Sequence, residues 1–228
     1  MSARDDILAA VRRATGGAVA PGRPAVEQAF AARLAEPRAN LVPERGKGTP
    51  AELLVRFIAE SEAAAATVAR IANHAAIPAA AADYLTAHGL PRRVRAAPAL
   101  KDVFWPERLG VAVEYGRADA DTPVGLSAAV AGIAETGTLV LPSGPASPTT
   151  LNYLPDVHIV VLESVRIVGS YEDAWARFRG EAAGGDFMPR AVNWITGPSR
   201  SADIELILLL GVHGPRRLHI LLVDGQDA

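Results

Sequence analysis

Hydrophobic residues fall into two kinds of run along this chain. Early on they recur at helical spacing; later they form short unbroken stretches closed by Gly and Pro. Ile7, Leu8 and Val11 share one face of a helix predicted over 2–14, with Ser2 at its N-cap and Asp5 and Asp6 in its first turn. Gly16 and Gly17 close it. The stretch through Gly48 is rich in Pro, Gly, Ala and Arg, with a further helix expected over 26–34. It reads as an arm that docks on the main domain or on a second copy of the chain. Thr49-Pro50-Ala51-Glu52 then joins a capping box to a proline at the first helical position. Leu53, Leu54, Phe57 and Ile58 follow at helical spacing, and an alanine-rich run carries this predicted helix to about Asn73. Another helix, over 78–88, is stopped by Gly89 and Pro91.

Strands are expected over 94–96, 111–115, 124–127, 157–162, 165–168, 192–196 and 218–223. Two more extended pieces lie within 133–141, on either side of Glu135-Thr136-Gly137. Residues 148–154 suit a helical turn, and 171–181 an amphipathic helix that buries Trp175 and Phe178. Trp105 reads as core packing. The apolar run 204–210 is too short to show a period and fits either a strand or a buried helix. Helices alternating with such strands predict an α/β domain over 49–228, with an open, mostly parallel, Rossmann-like sheet flanked by helices. Residues 1–48 form its helical N-terminal extension.

Composition narrows the function classes. Half the residues are hydrophobic and 21% are charged, enough for a sizeable core. No apolar run approaches the roughly 20 residues of a membrane span. The first residues are too charged for a secretory signal, so a cytoplasmic location is expected. A net charge of −2 gives no reason to expect a nucleic-acid partner. The chain has no cysteine, which excludes disulfides, thiolate nucleophiles and cysteine-ligated zinc or iron–sulfur clusters within it. Any redox cofactor nearby would belong to another polypeptide.

Glu135 interrupts an otherwise apolar run and precedes Thr136, Gly137 and Thr138. A carboxylate at a sheet edge can act as nucleophile, general base or binding group, and Gly137 would let a ligand approach the backbone closely. The plain alternative is an acid that caps a tight bend. Gly197-Pro198-Ser199-Arg200 follows a predicted strand and precedes Ser201 and Asp203. Such a turn can offer amides, hydroxyls and a guanidinium to a carboxylate or phosphate. Alternatively, Ser199 or Ser201 caps a helix, with Arg200 paired to Asp203 or Glu205. No Gly-Lys-Ser/Thr follows, so this is not a P-loop. His213 and Gly214 sit in a glycine-flanked turn and His158 at the mouth of a strand, without metal-ligand spacing. Ser143-Gly144 lacks the context of a hydrolase nucleophile. Because α/β sites gather at the ends of neighbouring strands, Glu135, Gly137, Gly197, Ser199, Arg200 and His213 are expected at one sheet edge.

Four segments in order, AGIAETGTLVL, TTLNYLPDVHIVV, ITGPSRSADIE and GVHGP, resemble the LUD-domain family, in its lactate utilization protein C branch. Ser201 stands where that family usually has Thr, so a hydroxyl is kept. The resemblance implies a fold similar to the NagB/RpiA/CoA-transferase superfamily. It also implies a role, beside two iron–sulfur partner proteins, in oxidising L-lactate to pyruvate, with the clusters in the partners alone. The matching segments add Asn152 and His158 to the candidate binding residues Thr136, Gly137, Thr138, Gly197, Pro198, Ser199, Arg200, Asp203, His213 and Gly214. The competing expectations are an acyl- or CoA-transfer enzyme with Glu135 as nucleophile, and a non-catalytic binding module.

Overall fold

The computed structural model describes residues 3–14, 23–35, 41–181, 189–201 and 209–225. It divides into Met1–Asn40 and Leu41–Ala228. The first unit carries helices α1 (Ala3–Ala14) and α2 (Arg23–Ala35). Ser2 lies outside the described residues.

The second unit opens with α3 (Pro50–Ala63). Thr49 caps it as the sequence requires: its hydroxyl accepts from the Glu52 amide while the Glu52 carboxylate accepts from the Thr49 amide. This helix is shorter than expected. It ends in a Schellman turn, in which the Ala66 amide reaches the Ser61 carbonyl and Ala65 the Glu62 carbonyl. The chain then runs into β1 (Thr67–Ile71). Alanine-rich sequence favours a helix here, but pairing with β12 (Arg217–Val223) offers Thr67–Ile71 a full ladder of parallel hydrogen bonds, and the ladder wins. Next come α4 (Ile77–Ala87), β2 (Arg93–Ala96), β3 (Ala112–Tyr115) and β4 (Val124–Ala128). After β5 (Ala131–Ile133), β6 (Thr138–Pro142) and the short α5 (Thr150–Tyr153), β7 (Val157–Glu163) returns to the centre. β8 (Ile167–Val168), α6 (Tyr171–Glu181), β9 (Val192–Ile195), β10 (Arg200–Ser201) and β11 (Leu209–Leu210) lead to β12.

Six strands form one wholly parallel sheet in the order β1-β12-β7-β4-β2-β3. The sequence pattern did not separate a second sheet from it. β8, β5, β6 and β9 pair into a four-stranded mixed sheet of their own, and β10 and β11 make a small antiparallel pair. Alternation explains the layering. Val157, Ile159 and Val161 of β7 pack with Leu221 and Val223 against Tyr84 and Leu85 of α4. Val160 and Leu162 point the other way, to Phe57 of α3 and to Leu139 and Leu141 of β6. Val140, between those two leucines, faces Ala174 of α6. The layers therefore run α4, parallel sheet, then α3 beside the small sheet, then α6. Trp175 and Phe178 on α6 are half-buried rather than core, and it is Ala174 that faces inward. Trp105 packs on the edge of the α4 core.

Candidate functional site

Where the two sheets meet, the amino ends of β7 and β12 and the carboxyl end of β9 enclose a cavity of about 250 Å³. Asn152, His158, Gly197, Pro198, Ser199, Arg200, His213 and Gly214, all candidates from the sequence, line it. Tyr153, Trp194, Ile195, Thr196, Pro215 and Leu218 complete the wall. The sequence pattern placed the site at a sheet edge; it did not indicate that the amino rather than carboxyl ends of the parallel strands would form it. Local backbone bonds bring the segments together. The Ser199 amide donates to the Pro215 carbonyl at 2.8 Å, and the Gly211 amide to the Ser199 carbonyl at 3.0 Å. Gly197 takes φ +71°, and a Cβ there would lie 2.2 Å from the Ala64 carbonyl oxygen, so the loop presses on the end of α3.

Two side chains give the cavity its chemistry. Asn152 is 2% exposed, and neither its amide nitrogen nor its oxygen has a hydrogen-bond partner. His158 is fully buried; its Nε2 lies 2.6 Å from the Ser127 hydroxyl, while its Nδ1 has no partner. Burial pulls the imidazole down to about 3, so it is neutral near pH 7. Buried polar atoms are nearly always satisfied, so three orphaned atoms on two residues of one cavity wall mark a place where a ligand or water completes the bonding. Arg200 is exposed and donates to the Ala64 carbonyl. Asp203 and Glu205, its alternative partners, lie outside the described residues. Ser201 sits in β10, paired with Leu209; residues 202–208, where the alternative helix would begin, lie outside the described residues. Among the described residues no cluster of His, Asp or Glu could hold a metal ion.

The Glu135 turn does not line this cavity. It is the β5–β6 hairpin of the small sheet. Glu135 is 7% exposed and accepts from Arg45 Nη2 at 3.0 Å. Gly137, at φ +64°, abuts α3, where a Cβ would come within 2.4 Å of the Ser61 nitrogen. Its freedom serves helix packing. Gly197, Ser199, Arg200 and His213 line the cavity; Glu135 and Gly137 do not, but the antiparallel β6–β9 register, with Leu139 opposite Ile195, brings their turn to the same end as Gly197, where Gly137 and Gly197 both abut the last turn of α3. Thr138 links the two regions: its hydroxyl bonds Thr196 on the cavity wall at 2.6 Å, and Thr136 at 2.7 Å. Tyr171 from α6 lies 3.0 Å from each of Thr136 and Thr138. Sequence reasoning did not identify Ser127, Tyr153, Thr196 and Tyr171 as part of this arrangement, because single hydroxyls on strands and helices carry no spacing signal.

Comparison with known proteins bears on this arrangement. The LUD domain model matches residues 54–223. An uncharacterized protein of Neisseria meningitidis serogroup B is 42% identical over 99 residues, covering 43% of this chain and 41% of that protein. Lactate utilization protein C of Geobacillus sp. is 37% identical and that of Bacillus subtilis 38% identical, each match covering 45% of this chain and 43% of the relative. The matched stretch thus spans less than half the length of each of these relatives. A DUF162 family protein from Deinococcus radiodurans, of known crystal structure, has the same fold at a TM-score of 0.59 and 24% identity, over 78% of this chain and 99% of that one.

Proposed function

This chain belongs to the LUD domain family, and from that premise we propose that it serves lactate utilization as a subunit that binds a small carboxylate and carries no redox centre of its own. The names of the lactate utilization relatives support the process, and the lack of cysteine, which excludes a thiolate-ligated cluster in this sequence, supports leaving electron transfer to iron–sulfur partner proteins. One observation carries the ligand: the unpartnered Asn152 amide and the unpartnered Nδ1 of His158 belong to two buried residues that line the same cavity. An amide supplies both donor and acceptor, and a neutral imidazole supplies one more of either. A 2-hydroxy carboxylate uses such a set fully, its carboxylate accepting from the donors and its hydroxyl giving to the Asn152 oxygen; a 2-oxo carboxylate, with acceptors only, uses the donors alone. The cavity, smaller than the usual range of about 300–1,000 Å³ for drug-sized ligands, suits a molecule of few heavy atoms. Arg200, on the wall, adds long-range attraction for an anion.

Calorimetric titration with lactate, pyruvate, phosphate and coenzyme A tests the reading. Lactate or pyruvate should bind to the full chain, and Asn152→Ala should weaken that binding tenfold or more. Arg200→Ala should weaken it further than Arg200→Lys. No carboxylate binding to wild type, or binding indifferent to Asn152→Ala, overturns it. Pull-down from a native extract should recover cysteine-rich iron–sulfur proteins; their absence removes the subunit role.

The acyl-transfer alternative needs a free Glu135 carboxylate. Its burial and its ion pair with Arg45 favour a structural role instead.

A further inference from the structure

A second and larger cavity, of about 600 Å³, lies at the other end of the same strands. Its wall comes from residues at or just beyond four carboxyl ends: His74 after β1, Leu100 after β2, Ala128 closing β4 and Glu163 closing β7. From β2 the chain moves outward to β3, whereas from β4 it passes to β7 on the opposite side. Adjacent strands whose connections leave in opposite directions open a crevice beyond their carboxyl ends, and open α/β sheets bind their ligands in that crevice. The cavity occupies this switch point, and its size lies within the range of about 300–1,000 Å³ typical of small-molecule sites.

Its chemistry differs from that of the Asn152 cavity. Glu163 accepts from Arg166 Nε at 3.1 Å through one oxygen, and its other oxygen lies 3.7 Å from His74 Nε2. Asp102 adds a second carboxylate to the wall. Ionised carboxylates only accept hydrogen bonds, so they select hydroxyl or amine donors and repel anions. At the lip, Phe104 is 80% exposed, although its neighbours Val103 and Trp105 both pack on the core. A phenyl ring held in water by an otherwise packed segment offers a stacking face for a flat ring.

We propose that this switch-point cavity is a second ligand site, which takes an uncharged molecule combining a flat ring with neighbouring hydroxyls, the chemistry of a nucleoside. The ring stacks on Phe104, and the hydroxyls donate to Glu163 and Asp102. An acid at a strand end that receives ribose hydroxyls recurs in the dinucleotide-binding doubly wound sheets. The site is independent of the carboxylate-binding one, which lies at the opposite strand ends.

Adenosine is the probe, titrated into the full chain by calorimetry and by ligand-observed NMR. Saturable binding is expected, weakened at least fivefold by Phe104→Ala and at least tenfold by Glu163→Gln. 2′,3′-Dideoxyadenosine should bind at least tenfold more weakly than adenosine. Phe104 is exposed, so its replacement reads the site without disturbing the core. Asn152→Ala should leave adenosine affinity unchanged, which separates this site from the first. No binding at millimolar adenosine, binding unaltered by Phe104→Ala, or equal affinity for the dideoxy compound would each overturn the proposal.

Discussion

The Ser127 hydroxyl on β4 and Nε2 of His158 on β7 stand 2.6 Å apart, with both side chains buried to 1% exposure or less. Ser127 has no other side-chain partner among the described residues. If its oxygen accepted from Nε2–H, its own hydrogen would be buried without an acceptor, at a cost of about 1–3 kcal/mol. With the hydroxyl donating to Nε2, the Nδ1–H is instead the buried donor in want of an acceptor, which a bound carboxylate supplies; the ligand-binding reading therefore assigns the proton to Nδ1.

Nitrogen-15 NMR of labelled protein at neutral pH should find His158 as the Nδ1–H tautomer. Ser127→Ala should release that preference. A wild-type Nε2–H tautomer contradicts the assignment.

Acid should destabilise the fold through two histidines. Burial pulls His158 to about 3; burial, aided by nearby His88 and opposed by the Thr67 contact, pulls His219 to about 4. Above about pH 6.5 both are neutral in either state and contribute no pH dependence. Below it the unfolded chain takes up protons that the folded one refuses, so stability falls as pH falls, by about 1.4 kcal/mol per pH unit for each residue. The loss runs down to about pH 4 for His219 and about pH 3 for His158. Denaturant titrations at pH 4.5 to 7.5 check this; His219→Gln should reduce the slope by roughly half.

Asn152→Leu should bind no lactate and yet raise the stability of the free protein by about 1 kcal/mol, because it removes a buried amide without partners. Chemical denaturation of the two proteins measures it. A marked loss of stability means that the amide is bonded in solution.

Ala65 takes φ +64° at the close of α3, a conformation that costs an L-residue about 1–2 kcal/mol. Ala65→Gly should therefore stabilise the protein by up to about 1 kcal/mol, the greater unfolded-state freedom of glycine offsetting part of the gain. Gly137→Ala should do the reverse and cost about 2–4 kcal/mol, since the methyl group meets the α3 backbone at a positive φ. Thermal melts of both variants give the signs.

Arg45 and Glu135 are joined across the chain, with Arg45 64% exposed and Glu135 7% exposed. A double-mutant cycle on Arg45→Ala and Glu135→Gln should return a coupling near 1 kcal/mol, because solvent screens the exposed partner. Hydroxylamine treatment after incubation with an acyl-CoA should trap no adduct at Glu135.

Much of this protein was legible from its sequence, because local rules decide local structure. The Thr49–Glu52 box, the Gly89 stop and the period of Tyr171–Glu181 place helices without reference to anything distant. Uniform apolar runs such as residues 159–162 announce strands buried on both faces. Glycine-flanked turns pointed to Gly197–Arg200 and His213–Gly214, and the family resemblance to Asn152 and His158. Partnership was not legible. Whether Ala66–Ile71 continues a helix or becomes an edge strand depends on β12, some 150 residues away. Whether Ala131–Ile133 joins the parallel sheet or a second one depends on β8 and β6. The same holds for Glu135, whose carboxylate reads as a site residue until Arg45 is found beside it. A sequence lists the hydrogen-bonding and charged groups each segment offers; which of them meet, and which are left unpaired beside a cavity, is decided by long-range packing, and only the tertiary structure contains it.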